Sequence, residues 1–157
     1  MVLKPNAKIE IKDHDFVIGV NIKTEMKVAG SEKTQKTILQ IPAVAIECKT
    51  YLDKTMLEGS SAAAEQLKMK NPNGIYIVVS EWLKLTAQVN LGKYKVDQIY
   101  VLRKQKNTDR EYRYLDGYLK NPIQVDVVEH LYNSVRKHLT TDWEKGVEYG
   151  LLKGYLL

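Results

Sequence analysis

The chain has 157 residues, 44% hydrophobic and 27% charged, which places it with folded domains and excludes a disordered or low-complexity protein. Lysine and arginine total 24 against 19 aspartates and glutamates, and the net charge of +5 favours a polyanionic partner. The single cysteine, Cys48, excludes an internal disulfide, and histidines at 14, 130 and 138 have no zinc-binding spacing.

The length fits one domain spanning 1–157. Residues 7 to 12, AKIEIK, alternate apolar and charged and predict a half-exposed strand. Neither the amino-terminal stretch nor any later run is apolar enough for a signal peptide or a membrane span, so a cytoplasmic protein without membrane contact is expected. A longer strand follows over 15 to 28, DFVIGVNIKTEMKV, with a bend expected at Gly19. After a turn at residues 29 to 32, TQKTILQIPAVAIECK returns as the central strand, giving an antiparallel hairpin.

The run Ile41-Pro42-Ala43-Val44-Ala45-Ile46 reads as a buried strand that ends in Glu47-Cys48-Lys49. Side chains alternate along a strand, so Glu47 and Lys49 share one face while Ile46 and Cys48 share the other. Cys48 is therefore expected in the core rather than at a site of chemistry. Beyond it, a helix is predicted over 61 to 70, stopped by Asn71-Pro72-Asn73-Gly74. Residues 75 to 80, IYIVVS, are apolar on both faces and predict a covered strand, completing a right-handed βαβ unit. A short helix is expected within 82 to 92 and a fourth strand over 96 to 104.

The connection from Lys104 to Pro122 mixes cations with tyrosines. Asn121-Pro122 predicts the start of a helix, Asn121 as its N-cap, with Ile123, Val127, Leu131 and Val135 along one face. Thr141 to Glu144 resembles a capping box for a last helix carrying Val147, Leu151, Leu152 and Leu156.

An acid opening one strand, Asp15, and an acid-x-lysine ending the next, Glu47-Cys48-Lys49, form the layout of the PD-(D/E)xK nucleases. Residues 41 to 70 resemble the catalytic strand and following helix of a type II restriction endonuclease of that superfamily. The expected Pro-Asp is absent; Asp15, after His14, is the preferred first acid, and Asp13 is the alternative. The resemblance implies an α/β fold, a restriction-endonuclease-like mixed β-sheet core flanked by helices. It implies Mg²⁺ held by Asp15, Glu47 and the backbone carbonyl of Cys48, with Lys49 assisting the attacking water. It also implies double-stranded DNA as substrate and a homodimer with one site per strand. Trp143, Tyr149, Leu152 and Tyr155 of the last helix are candidate interface residues, and packing on their own sheet explains them equally.

Gln66, on the helix after the motif, is a candidate supporting residue by the same resemblance. Lys54 and Thr55 follow the catalytic strand closely enough to touch phosphate, as would Arg103, Lys104, Lys106, Arg110 and Arg113 in the basic, tyrosine-rich connection. Asp97 reads as a strand-end cap. A junction-resolving nuclease shares the same motif. A non-catalytic DNA-binding module on a nuclease-like sheet is the reading favoured by the missing Pro-Asp.

Overall fold

The computed structural model describes residues 14–27, 30, 34–106, 115–141 and 146–154. Strand β1 (Phe16–Lys27) pairs antiparallel with β2 (Thr34–Leu52), and helix α1 (Lys54–Lys70) then crosses to β3 (Ile75–Leu83). Strand β3 lies parallel to β2, and β4 (Gln98–Val101) lies parallel to β3, in the order β1-β2-β3-β4. Helices α2 (Val125–Thr140) and α3 (Gly146–Lys153) complete the described elements. This is an α/β fold, a mixed four-stranded sheet flanked by helices.

The alternation of β2 divides the core between two helices. Ala45 joins Tyr76, Val78 and α1 residues Leu57, Ala63, Ala64 and Leu67 on one face. Val44 joins Ile77, Val79 and Tyr100 on the other, beneath Val127, Leu131 and Val135 of α2. Tyr76, Leu52 and Leu57 are fully buried, each contributing about 1.5 to 3 kcal/mol of transfer free energy. The register of β1 on β2 shifts between Ile18 and Gly19: Ile18 faces Val44 and Gly19 faces Pro42, leaving Ala43 as a bulge. A Cβ at Gly19 would collide with the Ile41 carbonyl oxygen, so this close crossing requires glycine.

Several expectations are corrected. Helix α1 begins at Lys54, seven residues before the predicted start. Asp53 caps it by accepting from the Met56 amide at 2.9 Å, and Gly59 and Ser60, which precede the predicted start, lie within the helix. No helix occupies 82 to 92; Trp82 and Leu83 extend β3 by pairing with Tyr51 and Leu52, and only a 3-10 turn forms at Leu91–Lys93. Tertiary pairing there overrides local preference. Helix α2 starts at Val125 rather than after Asn121. Asn121 instead braces the β4 exit, its side-chain amide donating to the Arg103 carbonyl at 3.1 Å and its backbone N–H to Gln105 Oε1 at 2.9 Å. Cys48 is exposed rather than in the core: it pairs with Val79 at the margin of the apolar cluster beneath α2 and is not itself covered. The strand expected at 7 to 12, the 142 to 144 part of the capping box, Trp143, Tyr155 and Leu156 lie outside the described residues, while Leu151 and Leu152 are exposed on α3. Among the described residues no helix is long and apolar enough to cross a membrane.

Candidate active site

Glu47 lies on the α1 face of β2, two positions after buried Ala45, and α1 and β3 each supply it with a donor. Ser60 Oγ donates to Glu47 Oε2 at 2.5 Å, and the Tyr76 hydroxyl donates to the same oxygen at 2.8 Å. Lys49 Nζ, on the same face of the strand, pairs with Glu47 Oε1 at 2.7 Å. Burial alone would raise the Glu47 carboxyl. The Lys49 ammonium and the two hydroxyl donors outweigh it and hold the group at about 2, against an ordinary 4.5. Glu47 is therefore anionic throughout the physiological range. Its side chain is 12% exposed and that of Lys49 is 29% exposed, so the pair sits at a water-accessible edge.

Asp15 immediately precedes the Phe16–Ile46 pair of β1 and β2, which brings it alongside Glu47 and Cys48. Its Oδ2 accepts from the Cys48 amide at 2.6 Å, fixing the carboxylate on the strand that carries Glu47 and Lys49. Asp13 lies outside the described residues. The edge thus gathers two carboxylates and one ammonium, hard oxygen and nitrogen groups, around the Cys48 peptide. Partial desolvation, followed by the negative charges of Asp15 and Glu47, pushes the Cys48 thiol up, so this cysteine is not activated as a thiolate.

The donors to Glu47 are residues that sequence reasoning did not single out. Tyr76 reads only as part of an apolar strand, and Ser60 falls just before the helix predicted over 61 to 70. The pairing of Ala45 with Tyr76 puts the tyrosine on the Glu47 face, and recognising Asp53 as an N-cap would have put Ser60 on the inward face of α1, one turn after Leu57. Burial, followed by the hydrogen bond to Glu47, pushes the Tyr76 phenol far up, so it remains a protonated donor. The His14 ring meets the Tyr76 ring edge-on, with centroids 5.4 Å apart.

The other candidates are distributed differently. Gln66 is exposed on α1 and lines a cavity of about 270 Å³ between that helix and the start of the β1–β2 hairpin, with His14, Gly19, Asn21 and Gln40 among its walls. Lys54 and Thr55 are exposed on the first turn of α1, where Lys54 pairs with Glu58 at 3.8 Å. Arg103 donates from Nε to Glu81 Oε1 at 2.7 Å, stacks over Trp82, and bonds the Asn121 carbonyl; Lys104 pairs with Asp126. Lys106 bridges to Leu83 at the end of β3. Arg110 and Arg113 lie outside the described residues. Asp97 accepts from the Tyr76 amide at 2.7 Å and from Lys68 at 2.5 Å, the strand-end role expected of it.

Among the described residues no cluster of three or more His, Cys, Asp or Glu side chains could hold a metal ion. A cation here would have to combine the Asp15 and Glu47 carboxylates with a backbone oxygen. That all-oxygen set fits a hard divalent cation and not zinc.

The family model for the Bpu10I restriction endonuclease matches residues 1–156. A solved structure described as the native BbvCI A2B2 tetramer is similar at 28% identity with a TM-score of 0.62, covering 81% of this chain. The chain spans 46% of the length of that BbvCI chain. No protein with a curated description matches.

Proposed function

The chain belongs to the Bpu10I restriction endonuclease family, and from that premise we propose that it is the catalytic domain of a metal-dependent endonuclease that hydrolyses phosphodiester bonds of double-stranded DNA. The observation that carries this reading is the convergence of Asp15, Glu47 and Lys49 on the edge formed by β1 and β2. Asp15, Glu47 and the Cys48 carbonyl would hold Mg²⁺, which when bound supplies Lewis-acid polarisation of the phosphate and an acidified water.

The remaining work falls to the chain's own groups. Ser60 and Tyr76 occupy Glu47 Oε2 and fix the carboxylate so that Oε1 stays directed toward Lys49. The Cys48 amide aligns Asp15 in the same way. Lys49 carries a positive charge close to where the attacking water and the phosphate oxygens would sit, orienting the water and offsetting negative charge that develops on phosphorus. Truncating Lys49 removes this function and also takes the ion-pair partner from Glu47, so the variant is checked by a thermal melt for a folded state before its cleavage is read.

Cutting two strands calls for two centres, and we propose that two such domains work together, most simply as a homodimer. BbvCI is described as an A2B2 assembly, which contains two kinds of subunit. Sedimentation velocity of the purified chain, alone and with DNA, distinguishes a self-association from a need for a second kind of subunit.

The test is cleavage of supercoiled plasmid with Mg²⁺, beside EDTA and the Lys49→Ala variant. Discrete, metal-dependent fragments that the variant fails to produce are expected. Absence of cutting with Mg²⁺ or Mn²⁺, while salt-sensitive binding persists, overturns the nuclease reading and leaves the non-catalytic DNA-binding module. Preferential cutting of branched over linear duplex indicates a junction-resolving nuclease.

A further inference from the structure

The pairing of β2 with β3 begins only at Val44, so among the described residues the earlier part of β2 has β1 as its one strand partner, with a further hydrogen bond from Asn71 Nδ2 to the Pro42 carbonyl at 2.9 Å at its base. Gly19–Lys27 and Thr34–Pro42 therefore leave the sheet as a two-stranded antiparallel ribbon. At about 3.3 Å per residue this ribbon is roughly 30 Å long.

Its two faces differ in chemistry. Val17 pairs with Ala45, a core residue under α1, so the odd-numbered residues of β1 share the face that carries Glu47. Beyond Gly19 these are Asn21, Lys23, Glu25 and Lys27, all exposed. Across the ribbon they face Gln40, Ile38, Lys36 and Thr34. The even-numbered residues Phe16, Ile18, Val20 and Ile22 form the opposite, apolar face. Three lysines and two carboxamides against one carboxylate thus lie on the same side of the sheet as the candidate catalytic groups. Lys36 and Glu25 pair at 2.8 Å, but at 79% and 61% side-chain exposure that contact is worth at most about 1 kcal/mol and releases easily.

We propose that this ribbon is a DNA-reading arm, seated in the major groove of the duplex with its Asn21, Lys23, Lys27, Lys36 and Gln40 face against the DNA. The B-DNA major groove, about 12 Å wide, admits a two-stranded β-ribbon. Asparagine and glutamine match the donor–acceptor pair of adenine, and lysine matches guanine or a backbone phosphate. The apolar face is unsuited to a polyanion, which fixes the orientation. Counted along β1 from Asp15, Asn21 stands about 20 Å and Lys27 about 40 Å from the carboxylate, on the scale of one duplex turn of about 34 Å. Base contacts are therefore confined to one flank of the scissile phosphate. This assignment rests on the DNA-cleavage reading only in taking the same duplex to reach both sites.

The test is fluorescence anisotropy with a labelled, mixed-sequence duplex oligonucleotide, in EDTA so that nothing is cut, over a salt series. The variant Lys23→Ala/Lys27→Ala/Lys36→Ala is expected to lose at least about tenfold in affinity at low salt, and its slope of log K against log salt becomes shallower by about 2 to 3. A control, Lys120→Ala/Arg136→Ala/Lys137→Ala, removes equal charge elsewhere and is expected to stay within about twofold. A second variant, Asn21→Ala/Gln40→Ala, keeps the charge and is expected to bind non-specific duplex as wild type does while altering the pattern of plasmid fragments. Thermal melts check that each variant is folded. A ribbon variant that binds like wild type, a control that loses as much, or a wild type that does not bind duplex at low salt overturns the assignment. Ribbon-dependent binding without any plasmid cleavage sinks the nuclease reading and leaves the arm standing.

Discussion

Replacing Glu47 with glutamine keeps the shape of the side chain and removes only its charge. Ser60 and Tyr76 can still donate to the amide oxygen, whereas the 2.7 Å pair with Lys49 is lost. Holding the carboxyl at about 2 rather than 4.5 corresponds to roughly 3 kcal/mol of preference for the ionised form in the folded protein. The edge is open to water on the Lys49 side, and screening there reduces the expected contribution to about 2 kcal/mol. Because the folded-state value is depressed, this stability is fully present above pH 4.5 and is lost as pH falls towards 2. Urea unfolding at pH 7 is therefore expected to show Glu47→Gln weaker by about 2 kcal/mol, or a melting point lower by about 4 to 8 °C. The gap should narrow steadily below pH 4.5. Added Mg²⁺ is expected to raise the melting point of wild type and not that of the variant, a readout independent of cleavage. A variant as stable as wild type at pH 7 would refute the reasoning: the Glu47 charge would then be a burden on the fold, tolerated for chemistry rather than stabilised by its three donors.

Two further changes probe the elements that carry the site. Asp53→Ala removes the cap that starts α1 and thereby loosens the helix holding Ser60; a loss of about 1 kcal/mol is expected by thermal denaturation, with plasmid cleavage reduced rather than abolished. Gly19→Ala drives a methyl group into the Ile41 carbonyl, and a loss above about 2 kcal/mol in urea is expected, with faster amide exchange from Val20 to Lys27 as the ribbon detaches.

The chemistry-bearing strand was legible because its pattern is purely local. The apolar run from Ile41 to Ile46 and the pleat alone put Glu47 beside Lys49, and Asp15 came with the hairpin. Less legible was whatever depends on a neighbour in space. The true start of α1 hinges on Asp53 as a cap within a polar run, and the length of β3 is set by Tyr51 and Leu52 receiving Trp82 and Leu83. The bulge at Ala43 belongs to the same class and has the largest consequence. With an unbroken pleat from Glu47 backwards, Ala43, Ile41 and Leu39 would share the Glu47 face, and Gln40 and Lys36 would lie behind it. One extra residue reverses the parity of every position before Val44. Leu39 and Ile41 then join Val20 and Ile22 on the apolar face, while Gln40 and Lys36 join Asn21 and Lys23 on the side of the carboxylates. A single-residue slip in β2 thus lets a strand that is apolar at its core end place Gln40 and Lys36 on the same side of the sheet as Glu47 and Lys49, beyond the Val17, Ala45 and Pro42 stretch of that face, and the alternation of β1 shows which side they must take.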